Sequence, residues 1–156
     1  FVMKNIKVQK LTPEAFAPYG QVLTVEGREA GGNPASHFWY PQVVVLDHPT
    51  SINLMRVVPR EFTVKDFEAH DQTTENLIAM DGDLIVAVAA AGDLKEETVA
   101  AFYVPCGLGV SFAPSVWHYV PFPMGKDVMC ACIFKNNTSH DDIHFDALPE
   151  TLGLEL

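Results

Sequence analysis

Most of this chain is divided into short segments that are rich in β-branched and aromatic residues and are separated by turn-forming residues. The segments are five to eight residues long, which is the usual length of strands in globular proteins. No helical periodicity lies between them, so the pattern predicts an all-β fold, an antiparallel sandwich or barrel. The predicted strands are QVVVLD, SINLMRVV, NLIAM, DLIVAVAA, VAAFYV, GVSFAP, VWHYVPF and VMCACIF.

One short helix is predicted near the N-terminus, in LTPEAFAPYG. Thr12 suits the N-cap, Pro13 the first helical position and Gly20 the end of the segment. Further along, the Asp-Gly pair in MDGD predicts a hairpin turn. The 156 residues contain no repeat or linker, so we expect one domain over residues 1–156.

The charge of the chain narrows the classes of partner. A formal net charge of −10 argues against binding to nucleic acid, because no cluster of Lys and Arg is present to displace counterions from phosphates. It also argues against an anionic membrane surface, and the longest apolar run, residues 84–92, is too short to span a bilayer. A small anionic substrate remains compatible, since one local Arg can outweigh a distant diffuse field.

The cysteines indicate the compartment. Cys106, Cys130 and Cys132 are an odd number in apolar surroundings, and Cys130 and Cys132 would share one face of a strand as small buried side chains. They do not form a disulfide framework. The first ten residues are too short and polar for a signal sequence. We therefore expect a cytoplasmic protein.

The stretch FEAHDQTTENLIAMDG, residues 67–82, concentrates groups that can bind a divalent metal. Glu68 and His70 are two apart, so on a strand both project from one face. The DQTT segment predicts a polar turn, after which Glu75 starts the returning strand. Because a metal site needs ligands that converge from separate segments, we expect a further ligand from His118, a lone His in an apolar strand.

Each of these residues also has a simpler interpretation. His70 could lie in a surface turn, His118 could be a hydrogen-bonded core residue, and Glu75 could orient a histidine rather than bind metal. Arg56 lies in an apolar strand, where either a structural ion pair or an anion site would suit it. The residues alone leave these alternatives open.

The spacing of the residues resembles the cupin family. Glu68-x-His70, four residues, Glu75, six residues and Gly82 match its first motif, except that Glu68 stands where the family has His. In the second motif Gly107 and His118 fall at the expected offsets. Three positions of that motif differ, at Ala113, Ser115 and Phe122. A carboxylate at position 68 shifts the preference away from soft metals.

One cupin branch, the ureidoglycolate lyase family, is more similar and covers nearly the whole chain. The similar segments are LTPEAFAPYGQVL, INLMRVVP, FEAHDQTTENLIAMDGDLIVAVAAAGD, GVSFAPSVWHYVPFP and DALPE. The Glu-x-His pair is normal for this branch. Members carry His-His after the Trp, whereas this chain has His118-Tyr119, a departure that bears on specificity if the second position contacts substrate.

The resemblance implies a cupin-type jelly-roll barrel, a homodimer and a divalent metal, with nickel suggested and zinc, manganese or iron as alternatives. It implies cleavage of (S)-ureidoglycolate, a small anion, to glyoxylate and urea. The alternatives are another metal-dependent cupin enzyme, an isomerase or oxygenase, and a non-catalytic cupin that binds a metabolite. The expected metal ligands are Glu68, His70, Glu75 and His118; the catalytic residues Arg56, Glu75 and His118; and the substrate-binding residues Arg56, Met80, Trp117 and Tyr119.

Overall fold

A computed structural model describes residues 2–156. Over this part of the chain there are twelve strands, two short helices and one 3₁₀ turn at Glu96–Thr98. The strands are β1 (Asn5–Lys10), β2 (Gly20–Leu23), β3 (Thr50–Val57), β4 (Thr63–Ala69), β5 (Glu75–Ala79), β6 (Leu84–Ala89), β7 (Ala100–Val104), β8 (Gly109–Phe112), β9 (Trp117–His118), β10 (Phe122–Pro123), β11 (Val128–Lys135) and β12 (His144–Glu155); the helices are α1 (Pro13–Phe16) and α2 (Thr138–Asp141).

The strands form two sheets that make a barrel. Seven strands follow the order β10-β6-β7-β1-β12-β4-β9, and β9 pairs again with β6, which closes this sheet on itself. Five strands follow the order β2-β8-β5-β11-β3. The predicted all-β barrel with a short N-terminal helix is confirmed. The prediction of a wholly antiparallel fold was wrong, because β1 pairs in parallel with both β7 and β12.

Two apolar cores share strand β6. Leu84, Val86 and Val88 contribute to the core between the two sheets. The alternate residues Ile85, Ala87 and Ala89 contribute to a second core inside the closed seven-stranded sheet. All six side chains of β6 are therefore buried, which explains why its sequence is a continuous apolar run rather than an alternating one.

The N-terminal helix follows its predicted capping signals. Thr12 has an extended backbone and its side-chain oxygen accepts a hydrogen bond from the Ala15 N–H at 3.1 Å. Pro13 occupies the start of the helix, where its missing N–H would have no intrahelical partner. Phe16 points from the helix into the core between the sheets, so the helix packs against that core.

Two local predictions were wrong. Residues 42–47 (QVVVLD) form no strand and lie in the irregular connection between β2 and β3. The MDGD segment is not a hairpin turn, because β5 and β6 belong to different sheets. Gly82 is needed there for close packing: a Cβ at this position would lie 2.6 Å from Cγ2 of Val128.

Cys130 and Cys132 are buried on the same side of β11, as predicted, and both belong to the core between the sheets. Cys106 differs from its expected apolar surroundings and is exposed. Within residues 2–156, no helix is long and apolar enough to cross a bilayer.

Candidate metal-binding site

The four residues expected to bind metal converge at one end of the core between the sheets. Glu68 lies on β4, and His118 ends β9 directly opposite it in the antiparallel register. His70 follows the last residue of β4, while Glu75 begins β5 in the other sheet. One ligand atom from each residue lies within 4.8 Å of the others, so both sheets contribute to the cluster.

Glu75 is the centre of the cluster. Its Oε2 lies 2.5 Å from Nε2 of His118 and 3.3 Å from Nε2 of His70. Glu68 is more distant, with its Oε1 at 3.6 Å from Nε2 of His118. Glu75 and the two histidines are buried, whereas the Glu68 side chain keeps 28% of its surface exposed. Glu68 is thus the member of the cluster that faces outwards.

The outer ring nitrogens of both histidines are hydrogen-bonded to backbone carbonyl groups. His70 Nδ1 donates to the carbonyl oxygen of Asp142 at 2.8 Å, and His118 Nδ1 donates to that of Val116 at 3.0 Å. Because a carbonyl oxygen can only accept, each Nδ1 carries the hydrogen and each Nε2 presents its lone pair to the cluster.

The geometry of the cluster fits a bound cation. His70 Nε2, His118 Nε2 and Glu75 Oε2 are buried and have no hydrogen-bond partner within the described residues, despite their proximity. Three atoms that present lone pairs this close together need a positive charge among them, either a proton or a metal ion. Two imidazole nitrogens and two carboxylate oxygens suit Ni²⁺, Zn²⁺, Fe²⁺ and Mn²⁺, so these residues could hold a divalent metal.

The electrostatics of the metal-free cluster agree with that need. Burial by itself raises the pKa of the Glu75 carboxyl, but His118 and His70 outweigh it and lower the pKa to about 2. Burial would lower the pKa of His70, yet its contacts with Glu75 raise it above its usual value. Burial raises the pKa of Glu68, and the negative charge of Glu75 adds to this.

Apolar and aromatic groups surround the buried side of the cluster. The Phe112 ring is stacked on the His118 ring with centroids 4.7 Å apart, and Phe134 meets His70 edge-on at 5.8 Å. Burial, reinforced by Glu75, raises the pKa of the nearby Cys132 thiol. Cys132 is not among the residues whose ligand atoms converge, so the candidate ligands are His and Glu.

Comparison with known proteins identifies the family. The family model described as ureidoglycolate lyase matches residues 3–155. The chain belongs to the ureidoglycolate lyase family. Among its relatives, the ureidoglycolate lyase of Burkholderia mallei (strain NCTC 10229) is 29% identical over 161 residues, which cover 97% of this chain and 94% of that protein. The ureidoglycolate lyase of Escherichia coli (strain K12 / DH10B) is 27% identical over 155 residues, covering 94% and 96%.

Two solved structures of other proteins align with part of this chain. The S161A mutant of Bacillus subtilis oxalate decarboxylase aligns with a TM-score of 0.46 and 19% identity, over 65% of this chain and 24% of that one. The oxalate decarboxylase formate complex of Lactobacillus farciminis aligns with a TM-score of 0.45 and 18% identity, over 57% and 25%.

Glu68 of the cluster also lines a small depression of about 150 Å³. Tyr119 and Val120 form one wall of it, and Phe145 from β12 forms another. Tyr119 also packs into the second core, where its ring contacts those of Phe67 and Phe122 at centroid distances of 6.2 and 6.0 Å. Of the four residues predicted to bind substrate, Tyr119 is the one that lies beside the cluster.

Arg56 is not brought to the cluster. It lies on the outer face of β3 with its side chain largely exposed, and its Nε lies 3.7 Å from Asp127 Oδ2. The Arg56 side chain of this chain therefore does not reach the cluster, and its role in binding substrate stays a prediction. The alternative of a structural ion pair, also left open by the sequence, fits its position.

Met80 and Trp117 also lie elsewhere. Met80 is half-exposed and follows the far end of β5, roughly 16 Å along the strand from Glu75 at the usual rise per residue. Trp117 points away from His118, packs against the second core and donates its indole N–H to the carbonyl of Gly92 at 2.8 Å. Neither side chain lines the depression beside Glu68.

Two residues near the cluster were missed from the sequence. Arg60 donates to the carbonyl oxygens of Pro121 and Val120 at 2.9 and 2.6 Å and so supports the wall that contains Tyr119. Asp142 accepts the hydrogen bond from His70. No local pattern marks either residue, because their partners lie about 60 and 70 positions away in the sequence.

Proposed function

We propose that this chain is a metal-dependent ureidoglycolate lyase that cleaves (S)-ureidoglycolate to glyoxylate and urea. The observation that supports this most is the convergence of two histidines and two glutamates on one buried point, in a chain that matches the family from residue 3 to residue 155. The family match favours this reaction over the isomerase, oxygenase and non-catalytic alternatives.

The reaction needs only one proton to move. Ureidoglycolate has a carbon that bears a carboxylate, a hydroxyl and a urea nitrogen. The hydroxyl loses its proton, its oxygen forms the carbonyl of glyoxylate, and the C–N bond breaks with its electron pair going to nitrogen. That nitrogen takes up a proton and leaves as urea. The atoms balance without any co-reactant.

We propose His70, Glu75 and His118 as the residues that hold the metal, and Glu68, the fourth expected ligand, as a more exposed group beside the metal that stays free to take up a proton. A divalent ion held there supplies Lewis-acid chemistry, since it lowers the pKa of a hydroxyl group beside it and stabilises developing negative charge. The preferred ion is proposed to be nickel, on the resemblance, with manganese, zinc and iron as the ions to compare. The absence of a thiolate from the cluster supports a borderline or hard ion.

Glu68 is proposed to carry the proton. It is the cluster residue that faces the depression, where the substrate would lie, and a carboxylate has two oxygens of which one can accept a proton. A carboxyl beside the substrate can then return that proton to the leaving nitrogen. Glu75 and His118, which the sequence also suggested for catalysis, are buried against each other and are better placed to hold the metal.

The proposal is tested with purified protein and racemic ureidoglycolate. Glyoxylate and urea are measured after treatment with a chelator and after adding back nickel, manganese, zinc or iron separately. We expect release of both products in equal amounts, loss of activity with the chelator and recovery with one of the ions. Failure of every ion to support turnover would reject the substrate assignment.

We also propose that this single-domain chain forms a homodimer through the outer face of the five-stranded sheet. On β3 that face presents Ile52 and Leu54 with 73% and 67% of their surfaces exposed. Soluble monomers seldom expose neighbouring large apolar side chains of this kind. A second copy of the chain, related by a twofold axis, would cover the face with the same apolar residues.

We further propose that the protein acts in the cytoplasm on a small anion. The three cysteines are free in the described residues, as suits a reducing compartment. The net charge of −10 disfavours nucleic acid and anionic membrane surfaces as partners.

A further inference from the structure

The turn that carries His70 is held by a buried carboxylate from a distant part of the chain. Asp142, which follows α2, is almost fully buried. Its Oδ1 accepts a hydrogen bond from the Asp71 N–H at 2.9 Å, and its Oδ2 accepts one from the Gln72 N–H at 2.8 Å. Both oxygens of this buried carboxyl group are therefore satisfied by backbone donors.

The backbone of Asp142 contacts His70 itself. Its carbonyl oxygen accepts the hydrogen bond from His70 Nδ1 at 2.8 Å. The side chain of Asp142 thus fixes residues 71 and 72, while its main chain fixes the ring of residue 70. Asp142 thus accepts three hydrogen bonds, which together set the position of the His70 ring and determine which of its nitrogens carries no hydrogen.

Asp142 is in turn anchored to the barrel. Its N–H donates to the carbonyl of Thr138 at 3.0 Å, and the buried Thr138 hydroxyl donates to the carbonyl of Lys135 at 2.6 Å. Lys135 is the last residue of β11. This strand pairs with β5, the strand on which Glu75 lies. The contacts connect His70 to the sheet that carries Glu75 without passing through the cluster.

We propose that Asp142 is a positioning residue for the metal site, which holds His70 with its Nε2 lone pair directed at the cluster. The expected effect on metal affinity rests on the proposed metal-binding function. The orientation of the His70 ring applies to the metal-free protein as well. Partners that orient a metal-binding His in this way contribute about 10–100-fold to metal affinity in other proteins. Asp142 itself does not contact the metal or the substrate in this scheme.

The test compares Asp142→Asn with Asp141→Asn. Both changes remove one negative charge from neighbouring residues, but Asp141 is exposed. In Asp142→Asn, one buried backbone N–H faces an amide NH₂ group instead of an acceptor, so the 70–72 turn must shift. We expect the dissociation constant for nickel or zinc, measured by competition with a chromogenic chelator, to rise about 10–100-fold in Asp142→Asn and to stay unchanged in Asp141→Asn.

A second measurement does not depend on metal. In ¹⁵N-labelled, metal-free wild-type protein at alkaline pH, long-range ¹H–¹⁵N correlations should show the His70 tautomer with hydrogen on Nδ1, and Asp142→Asn should show a mixture. A wild-type protein with hydrogen on Nε2 of His70 overturns the proposal, even if the variant does not fold. A folded Asp142→Asn protein with the wild-type tautomer and metal affinity also overturns it. If wild type binds no metal, the metal-binding function is rejected, while the tautomer comparison still decides the role of Asp142.

Discussion

Glu68 on β4 lies directly opposite His118 on β9. This pairing within one sheet brings His118 to the cluster residues that are close together in the sequence, residues 68–75. The side chains of Glu68 and His118 approach to 3.6 Å between Oε1 and Nε2. The pair differs in accessibility, because His118 is buried and Glu68 faces the depression. The difference separates a residue suited to holding a metal from one suited to meeting the substrate.

Replacing His118 should weaken metal binding. His118→Gln removes an imidazole nitrogen that lies 2.5 Å from Glu75 Oε2. Since partners of ligands already contribute about 10–100-fold, loss of a ligand should raise the dissociation constant for the metal at least about 100-fold. Chelator competition measures it. His37→Gln, in the exposed β2–β3 connection, is the matched control and should bind metal normally. Equal affinity in the two variants would contradict the proposed ligand set.

Replacing Glu68 should mainly affect turnover. Glu68→Gln keeps the size of the side chain and leaves His70, Glu75 and His118 in place, but it removes the group that accepts the proton. We expect kcat to fall about 10²–10⁴-fold, the usual contribution of a general acid–base group, with a much smaller loss of metal affinity. Steady-state release of glyoxylate, together with metal content, separates the two effects. The exposed Glu61→Gln serves as control, and a variant at position 68 with normal kcat would exclude its proton-transfer role.

The metal-free protein should be most stable in a limited range of pH. The folded-state pKa of Glu75 is lowered to about 2, so its contribution is present above its unfolded pKa of about 4.3 and is lost as pH falls below that value. The pKa of His70 is raised, so its contribution is present below about 6.5 and is lost as pH rises through the folded pKa. The thermal midpoint in chelator should therefore be highest between about pH 5 and 6.5.

Added metal should raise the thermal midpoint at neutral and alkaline pH more than at acid pH. Because the ion binds neutral imidazoles and charged carboxylates, it should raise the thermal midpoint above about pH 6.5 and have little effect at pH 4. Thermal unfolding followed by circular dichroism, with and without metal, measures both curves. Glu75→Gln should flatten the acid side in chelator. A metal effect that is as large at pH 4 as at pH 8 would be inconsistent with this site.

The sequence predicted the cluster better than its surroundings. The local sequence places Glu68 on a strand, His70 just after it and Glu75 at the start of the next strand. The spacing of the three residues therefore already determines how they converge. Arg56 points outwards, although the apolar sequence of its strand suggested a buried side chain. The physical reason is that β3 carries Ile52 and Leu54 on its exposed face and Asn53 on its inner face. The apolar pattern therefore suggests the opposite orientation of the strand, and a shift of one residue exchanges its faces.

The role of Asp142 could not be predicted for a different reason. It lies in a polar segment, DDIH, that resembles a solvated loop, and its burial depends on contacts with residues 70–72. The sequence also leaves the C-terminal segment open between a helix, a strand and an arm exchanged with a neighbouring copy. It forms β12, which pairs with both β1 and β4, and its register with β4 shifts between Ala147 and Leu152. Pairings of this kind are determined by tertiary packing rather than by local propensity.

Tyr119 should influence substrate binding rather than metal binding. Tyr119 lines the depression beside Glu68, at the position where the resemblance to the family implies a second His. Tyr119→Leu removes the aromatic wall and should raise KM about threefold to tenfold, a loss of about 1 kcal/mol, with unchanged metal affinity. Tyr40→Leu, in a groove on the other sheet, is the control. An unchanged KM for the variant at position 119 would remove it from the substrate site.

Leu54 provides the test of the proposed dimer. If the outer face of the five-stranded sheet is an interface, Leu54→Glu places two unpaired charges in it, one from each copy, because the contact is twofold symmetric. Burying an unpaired charge at an interface costs about 2–5 kcal/mol, so the dimer dissociation constant should rise about 100-fold or more. Sedimentation equilibrium over a range of concentrations measures it. Val2→Glu adds the same charge at an exposed apolar position next to β1, in the other sheet, and should leave the dimer intact. A dimer that tolerates both changes equally must use a different surface, and a wild-type monomer would leave Ile52 and Leu54 exposed for some other reason than self-association.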